Sequence, residues 1–205
     1  MNQHRPPVRK GRKYDQVIDG ARKVFLKDGF EGASVDDIAK EAGVSKATLY
    51  SYFPDKRFLF MEVASSQCEV QADRAMHDIN MDNPPSTVLP RIGHHFLAFI
   101  LSDIGQRIFR VCVAEADRFP ELGQRFYTSG PEMTRGKLVD YFEKAIARGE
   151  LQIDDLDLAA FQFAELCKAD LWPRLVFGVQ KSFSQKDMDR VVSGAVEVFL
   201  ARYGT

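Results

Sequence analysis

The segment that most constrains the fold of this chain is residues 34–56, SVDDIAKEAGVSKATLYSYFPDK. Two short helical patterns flank Gly43, and a tight turn between helices needs a residue that adopts positive φ at little cost. Ala39 is small enough to let the two helices cross closely. Apolar residues that would close a small core between the helices are Ile38, Val44 and Leu49. The pattern predicts a helix-turn-helix motif over about 34–53, with helices at about 35–42 and 46–52. A preceding helix is predicted over about 12–28, with Gly29 after its end.

Polar residues indicate where the two short helices begin and which face is exposed. Ser34 can cap the first helix, with Asp37 in the reciprocal position of a capping box, and Ser45 can cap the second. In the second helix only Leu49 is expected to point inward, so hydroxyl and ammonium groups face outward. Such donors bind the phosphates and base edges of nucleic acids. The predicted DNA-contacting residues are Ser34, Ser45, Lys46, Ala47, Thr48, Tyr50, Ser51, Tyr52 and Lys56.

Charge is distributed unevenly along the chain. Residues 1–60 contain 12 Lys and Arg against 8 Asp and Glu, whereas the whole chain contains 28 against 29 and has a net charge of −1. A basic amino-terminal part on an otherwise acidic protein favours a polyanionic partner for that part alone. An amino-terminal arm with five bases and no acid would add phosphate contacts: Arg5, Arg9, Lys10, Arg12 and Lys13.

Composition argues against several other classes of protein. Hydrophobic residues make up 45% of the 205 residues and charged residues 28%, as in ordinary globular proteins. No apolar run approaches the roughly 18 residues of a membrane span, and the start lacks the apolar segment of a signal peptide, so we expect a cytoplasmic protein without membrane contact. The three cysteines and four histidines lie at none of the spacings typical of zinc sites or disulfide frameworks. We expect reduced thiols, no metal and no cofactor.

Helical patterns continue through the rest of the chain. Apolar residues recur at helical spacing, no sustained period-2 alternation occurs, and prolines mark most of the breaks. We predict an all-α protein of about nine helices, with a three-helix helix-turn-helix domain over 11–71 and a larger helical bundle over 72–205. A long helix from about residue 55 to 77 would connect the two domains. Near the carboxyl end, helices are predicted over about 156–177, kinked before Pro173, and 185–203.

The stretch GASVDDIAKEAGVSKATLYSYFPDKRFLF closely resembles the N-terminal domain of the tetracycline-repressor (TetR/AcrR) family of bacterial transcription regulators. The resemblance extends over about Tyr14–Met61 and includes the ending Thr-Leu-Tyr-x-Tyr-Phe-Pro-x-Lys. Ala47 stands where many members have Gly, and Ser51 where His is frequent; both differences would alter base recognition rather than the fold. Residues 108–178 are similar to the AefR-like subgroup, a resemblance that implies no agreed ligand.

Most of the 16 phenylalanines lie beyond residue 71, so aromatic residues either line a ligand cavity in the bundle or belong to its plain core, and core is the commoner role. Glu115 falls on the apolar stripe of its helix, where a carboxylate needs a partner. That partner is either a neighbouring group, such as Arg107, Arg110 or the backbone, or a bound ligand. The candidate cavity residues are His95, Phe96, Phe99, Glu115, Tyr127, Phe142, Phe161 and Trp172.

The last two predicted helices, 156–177 and 185–203, are the candidate dimer surface. Both are largely apolar and contain small residues that would let another helix approach closely. Gly194 lies mid-helix, where glycine costs about 1 kcal/mol relative to Ala, so a close helix crossing would explain it. In the TetR family such helices usually form a two-fold interface; burial of both within one monomer is the alternative. The candidate interface residues are Ala160, Ala164, Val191, Gly194, Ala195 and Val198.

Together these patterns favour a ligand-responsive DNA-binding transcription regulator. A homodimer would bind a near-palindromic double-stranded operator, and a small, largely apolar effector would release it; this is the behaviour of a repressor, although the sequence also leaves activation open. Two other hypotheses are an architectural or ligand-independent DNA-binding protein, and a helical enzyme that uses His95 and Glu115 as acid and base. The enzyme hypothesis lacks a nucleophile–base–orienter set, a phosphate loop or metal spacing.

Overall fold

The structure, a computed structural model, describes residues 11–77 and 79–205. Within this part, the regular secondary structure consists of helices joined by turns and loops. This part contains eleven α-helices and one π-helical turn, so the all-α prediction is confirmed, with two more helices than expected. The helices are α1 Arg12–Gly32, α2 Val35–Ala42, α3 Lys46–Tyr52, α4 Lys56–His77, α5 Pro85–Leu101, α6 Asp103–Glu115, α7 Pro120–Tyr127, α8 Met133–Ala147, α9 Leu156–Lys168, α10 Leu171–Val176 and α11 Gln185–Tyr203.

The first three helices form the amino-terminal head. Gly29 interrupts α1 with a φ of +73°, one residue after the predicted end of the helix, and Phe30 then stacks on Phe25 with ring centroids 6.2 Å apart. The close approach of α1 and α2 depends on Gly20, because a Cβ there would lie 2.7 Å from the backbone nitrogen of Ala42. Ala39, predicted as the small residue where α2 meets α3, is buried. No sequence pattern indicated Gly20 at the crossing of α1 and α2.

α4 connects the head to the bundle. Its 22 residues correspond to a length of about 33 Å, and its first half is buried against α1 through Leu59, Phe60 and Val63. The apolar core around these residues also includes Ile108 and Cys112 of α6, and Leu122 of α7. The packing of the head therefore continues into two helices of the predicted bundle domain.

A second core lies among α5, α8, α9 and α11. Phe199 of α11 is at its centre, with ring centroids 5.1 Å from Phe142 and 5.4 Å from Phe163. Gly93 brings α5 against α11, since a Cβ at this position would lie 2.9 Å from a methyl group of Val192. This core holds the bundle together independently of the head core.

Two differences from the predicted helices arise from local backbone chemistry. The predicted helix 156–177 is two helices, because Asp170 adopts a φ of +66° and the Leu171 N–H donates to the Ala169 carbonyl in a tight γ-turn. Residues Thr128–Glu132 form a π-helical turn that includes Pro131 and leads into α8. The predicted bounds of α2, α3 and α11 are confirmed.

The three cysteines are buried free thiols, as expected. Burial raises the pKa of Cys68 to about 11 and those of Cys112 and Cys167 to about 12, which keeps them protonated at neutral pH. Among the described residues, no helix is both long and apolar enough to cross a membrane. No three His, Cys, Asp or Glu side chains in this part of the chain are grouped so as to hold a metal ion.

Candidate functional site

The helix-turn-helix forms as the sequence predicts. Gly43 adopts the left-handed conformation, with φ +63° and ψ +35°, and its N–H donates to the Lys40 carbonyl. The Ser34 hydroxyl accepts from the Asp37 N–H at 3.0 Å and caps α2. The Ser45 hydroxyl accepts from the Thr48 N–H at 3.1 Å and caps α3. The Asp37 carboxylate accepts from the Ser34 hydroxyl, so its partner is the side chain rather than the backbone N–H of a reciprocal capping box.

α3 presents a polar face to solvent. Lys46, Ala47 and Tyr50 are exposed, and Leu49 is fully buried beneath them. The exposed Ser51 donates its hydroxyl proton to the Thr48 carbonyl one turn earlier. The prediction that only the leucine of this helix points inward is wrong, because the Tyr52 ring packs edge-on against Tyr14, with centroids 5.7 Å apart.

Two lysines of the predicted interface have partners within the chain. Lys46 forms an ion pair with Asp36 of α2, and both side chains are more than half exposed. Lys56 lies in the first turn of α4 and donates to the carbonyls of Phe30, at 2.7 Å, and Ala33, at 3.0 Å. The Lys56 ammonium therefore fastens α4 to the end of α1, while its predicted contact with a phosphate stays a prediction.

Arg57 joins the head to the bundle. Its guanidinium donates to both oxygens of Asp55, at 2.8 and 2.6 Å, and to Glu115 of α6 at 3.2 Å. It also stacks 3.6 Å from the ring centroid of Phe119. The arginine lowers the pKa of Asp55 through these hydrogen bonds. The partner of Glu115 is thus an arginine that is distant in sequence, and neither Arg107 nor Arg110 as the sequence suggested.

A second polar link crosses the same boundary. Glu62 of α4 accepts from the Tyr14 hydroxyl of α1 and, at 3.3 Å, from Arg125 of α7. Burial and the neighbouring carboxylate raise the pKa of Tyr14, so the phenol remains protonated as a donor. α1, α4, α6 and α7 are therefore connected by hydrogen bonds as well as by apolar packing.

A cavity of about 260 Å³ lies in the bundle. Five of the eight predicted cavity residues line it: His95, Phe96, Phe99, Phe161 and Trp172. Phe109 of α6 and Phe126 of α7 complete an aromatic cluster, with Phe109 and Trp172 centroids 4.9 Å apart. Their helices carry no sequence signal of which face meets the cavity, so six further wall residues could not be predicted: Phe109, Phe126, Thr134, Arg135, Lys137 and Lys168.

Three predicted cavity residues lie elsewhere. Glu115 is bonded to Arg57, outside the cavity wall. Tyr127 is 51% exposed, since it precedes the π-helical turn on the outer side of α7. Phe142 is completely buried in the second core, against Phe199. For these residues the prediction of a cavity role is wrong.

Most of the predicted dimer residues are packed inside the subunit. Ala160, Val191 and Ala195 are at most 6% exposed, and Ala160 and Ala164 line the cavity. They face the core because it lies between α9 and α11, so their assignment to the subunit surface is wrong. Gly194 and Val198 lie on the outer side of α11: a Cβ at Gly194 meets no atom within 4 Å, and Val198 is 55% exposed.

The amino-terminal arm, residues 1–10, lies outside the described residues. Its predicted contacts with phosphates stay a prediction. Arg12 and Lys13, the last two bases of the basic stretch, are exposed in the first turn of α1.

Comparison with known families gives two separate matches along the chain. Residues 17–63 match the family of bacterial regulatory proteins called the tetR family. Residues 87–205 match the C-terminal domain of AefR-like transcriptional repressors. The first match contains the helix-turn-helix, and the second contains nearly the whole cavity wall.

Relatives include curated proteins and solved structures. The biofilm operon icaADBC negative transcriptional regulator IcaR of Staphylococcus aureus is 27% identical over 55% of this chain, and the match spans 59% of IcaR. The flavonoid-responsive regulator FrrA is 34% identical over 95% of this chain and 98% of its own, with a TM-score of 0.72. A TetR-family regulator from Mesorhizobium loti is 29% identical over 97% and 100%, with a TM-score of 0.81. This chain belongs to the TetR family of bacterial transcription regulators.

Proposed function

We propose that the protein is a transcriptional repressor that binds a near-palindromic DNA operator as a homodimer and is released by a small molecule. The observation that carries this proposal is the exposed polar face of α3, which the turn at Gly43 holds away from the core. Recognition helices of a dimer occupy successive major grooves roughly 34–36 Å apart. IcaR, which is named a negative regulator, supports repression over activation.

The predicted interface residues fall into three groups with different roles in this proposal. Lys46, Tyr50 and the amino-terminal arm contact phosphates and fix the register of the protein on DNA, while Thr48 and Ser51 approach base edges. Ser34, Ser45 and Ala47 lie at the starts of α2 and α3, where backbone N–H groups attract phosphates; Tyr52 and Lys56 add donors at the far end of the motif.

Release would pass from the cavity to the head through α6. Ile108 and Phe109 line the cavity, and the same helix ends at Glu115, which holds Arg57 at the start of α4. A ligand that prefers a displaced α6 would shift α4 and the head attached to it. A coupling of about 1–3 kcal/mol gives 5- to 150-fold relief of operator binding. FrrA is named for its response to flavonoids, which is compatible with an aromatic-walled cavity in this fold.

A selection of bound DNA from a random pool, followed by a salt titration, tests the proposal. About eight phosphate contacts per dimer give a log–log slope near −7. Thr48→Ala should change the preferred sequence, whereas Lys46→Gln should weaken binding to all sequences. Lys144→Gln, on the exposed surface of α8, is the matched control for lost charge. A slope near zero, or selection of no sequence, would contradict the proposal.

The other two hypotheses have less support. An architectural protein would bind random DNA as tightly as the selected operator, and the same competition experiment measures this. The enzyme hypothesis needs His95 and Glu115 together, yet only His95 belongs to the cavity wall. A cytoplasmic regulator without catalytic activity accounts for the separation of His95 from Glu115 better than an enzyme does.

A further inference from the structure

The charged residues of the cavity wall are unbalanced in favour of cations. Arg135, Lys137 and Lys168 line the cavity, together with one carboxylate, Glu165. Three bases against one acid leave a net charge of +2 on the wall. The remainder of the wall is mostly aromatic or aliphatic, so a few cations surround a large apolar surface.

Each cavity cation is paired with a carboxylate that an anionic ligand could replace. Arg135 lies 2.6 Å from Asp157, and Lys137 lies 3.0 Å from Asp73. Lys168 lies 2.5 Å from Glu165, the carboxylate of the cavity wall, which precedes it by one turn of α9. The cations are 24–28% exposed, whereas the carboxylates are 65–76% exposed. The cation is thus the buried member of every pair.

In several ion pairs on the outer surface the cation is far more exposed, for example 55% in the pair of Lys46 with Asp36. In the pair of Lys23 with Glu41, the lysine is 65% exposed and the glutamate 43%. In the pair of Arg190 with Asp170, the arginine is 61% exposed and the aspartate 43%. A solvent-exposed carboxylate holds its partner only weakly, so each of these carboxylates can be replaced by a bound anion.

We infer that the effector is a small amphipathic anion, with an aromatic or hydrocarbon body and one carboxylate, sulfonate or similar group. Its body packs on the aromatic wall, and its anionic group displaces an exposed carboxylate from a cavity cation. A charge-assisted hydrogen bond formed away from water is stronger than the exposed pair that it replaces. The volume of about 260 Å³ is at the lower limit for ligand pockets, which favours a compact molecule. This inference deepens the proposed function, on which it rests.

Two fluorescent probes with the same body separate charge from apolar contact. 8-Anilinonaphthalene-1-sulfonate carries an anionic group, and N-phenyl-1-naphthylamine is its neutral counterpart. Trp172 is the only tryptophan of the chain and lines the cavity, so energy transfer from it reports binding at this site. We expect the sulfonate to bind the full-length protein about tenfold more tightly than the neutral probe, with quenching of Trp172 emission. Equal affinities would overturn the inference.

Matched variants assign the preference to the cavity cations. The triple variant R135Q/K137Q/K168Q should lose most of the preference, with the neutral probe affected less than twofold. The control K144Q/K181Q/K186Q removes the same charge from exposed positions and should retain it. Equal loss in both triple variants would overturn the inference.

Two further variants test the inference in the opposite direction and should fold normally, since both side chains are exposed. D73N and D157N each free one cavity cation, so sulfonate binding should tighten two- to fivefold; unchanged or weaker binding would overturn the inference. Operator binding, measured separately, distinguishes the two proposals. If the sulfonate binds selectively in the cavity but no cavity ligand releases DNA, the anion selectivity of the cavity stands, while the proposed release by a small molecule fails.

Discussion

At the scale of single residues, we expect the ion pair between Lys46 and Asp36 to limit how tightly α3 binds DNA. Asp36→Asn should raise operator affinity two- to fivefold, because an exposed ion pair worth at most about 1 kcal/mol no longer competes with phosphate. Fluorescence anisotropy at fixed salt measures this. Asp28→Asn, an exposed change of equal charge at the end of α1, is the control. If both variants gain equally, the effect is one of net charge and the pair has no specific role.

Two glycines of the head should respond differently to substitution. At Gly43 a Cβ has open space but φ is +63°, so Gly43→Ala costs about 1–2 kcal/mol of unfolding free energy and Gly43→Asn less. At Gly20 a Cβ would clash with the backbone of Ala42, so Gly20→Ala costs about 1–3 kcal/mol and Gly20→Asn at least as much. Denaturant titrations measure both. Rescue by Asn at both positions, or at neither, would contradict this distinction.

The residues that could be predicted from the sequence are those governed by local rules. Ser34, Gly43 and Ser45 lie where capping and turn chemistry require them, and the structure places them there. Glu115 was correctly identified as a carboxylate that needs a partner. Its partner could not be predicted, because Arg57 is 58 positions away in the chain and meets it only after α4 packs against α6.

At the scale of helices, the bond of Arg57 to Glu115 should be a measurable connection between α4 and α6. In a double-mutant cycle with Arg57→Gln and Glu115→Gln, we expect a coupling of about 0.5–1 kcal/mol, since both side chains are partly exposed. Arg57→Gln should cost more than Glu115→Gln, because it also removes the contacts to Asp55 and the Phe119 ring.

Unfolding in urea measures each corner of this cycle, and hydrogen exchange of the first turn of α4 reports the same link locally. Glu143→Gln, an exposed change on α8, is the control. Additive losses in the double variant would show that the two helices are not coupled through this bond. The proposed route from cavity to head would then depend on apolar packing alone.

For helices, as for single residues, local rules can be predicted from the sequence and tertiary contacts cannot. α2, α3 and α11 have strong caps and could be placed to the residue. A kink is predicted before Pro173, and the structure has a complete break there, at Asp170. Arg190 and Arg174 of neighbouring elements hold the carboxylate of Asp170. Because this backbone conformation depends on tertiary contacts, the sequence pattern could not specify it.

At the scale of the whole molecule, the residues that can join two subunits are those on the sides of α9 and α11 that face away from the core. The predicted interface helices were chosen because they are apolar, but α9 and α11 are apolar chiefly where they meet α5 and α8. A helix at the edge of a bundle has two sides, and composition alone does not say which side meets a partner. On the outer side, α11 has a stripe formed by Gly194 and, one turn later, the exposed Val198. Leu158 is also exposed, on α9.

This outer stripe should be the dimer surface, and its central glycine allows a clean test. A side chain at Gly194 meets nothing within the subunit, so Gly194→Gln should leave the subunit folded while blocking close approach of a second copy. Val198→Asp should act similarly by burying a charge in the interface. Sedimentation should show monomers, and operator affinity should fall at least a hundredfold because two half-sites are no longer bound together.

The control for the dimer variants is Val113→Asp, which places the same charge on an exposed apolar position of α6, away from α9 and α11. It should remain dimeric and bind operator normally. Circular dichroism and thermal unfolding of all three variants separate loss of association from loss of folding. If Gly194→Gln and Val198→Asp remain dimeric, the subunits meet through another surface. If they become monomeric yet keep full operator affinity, a single head suffices for recognition, and the two-fold model of operator binding fails.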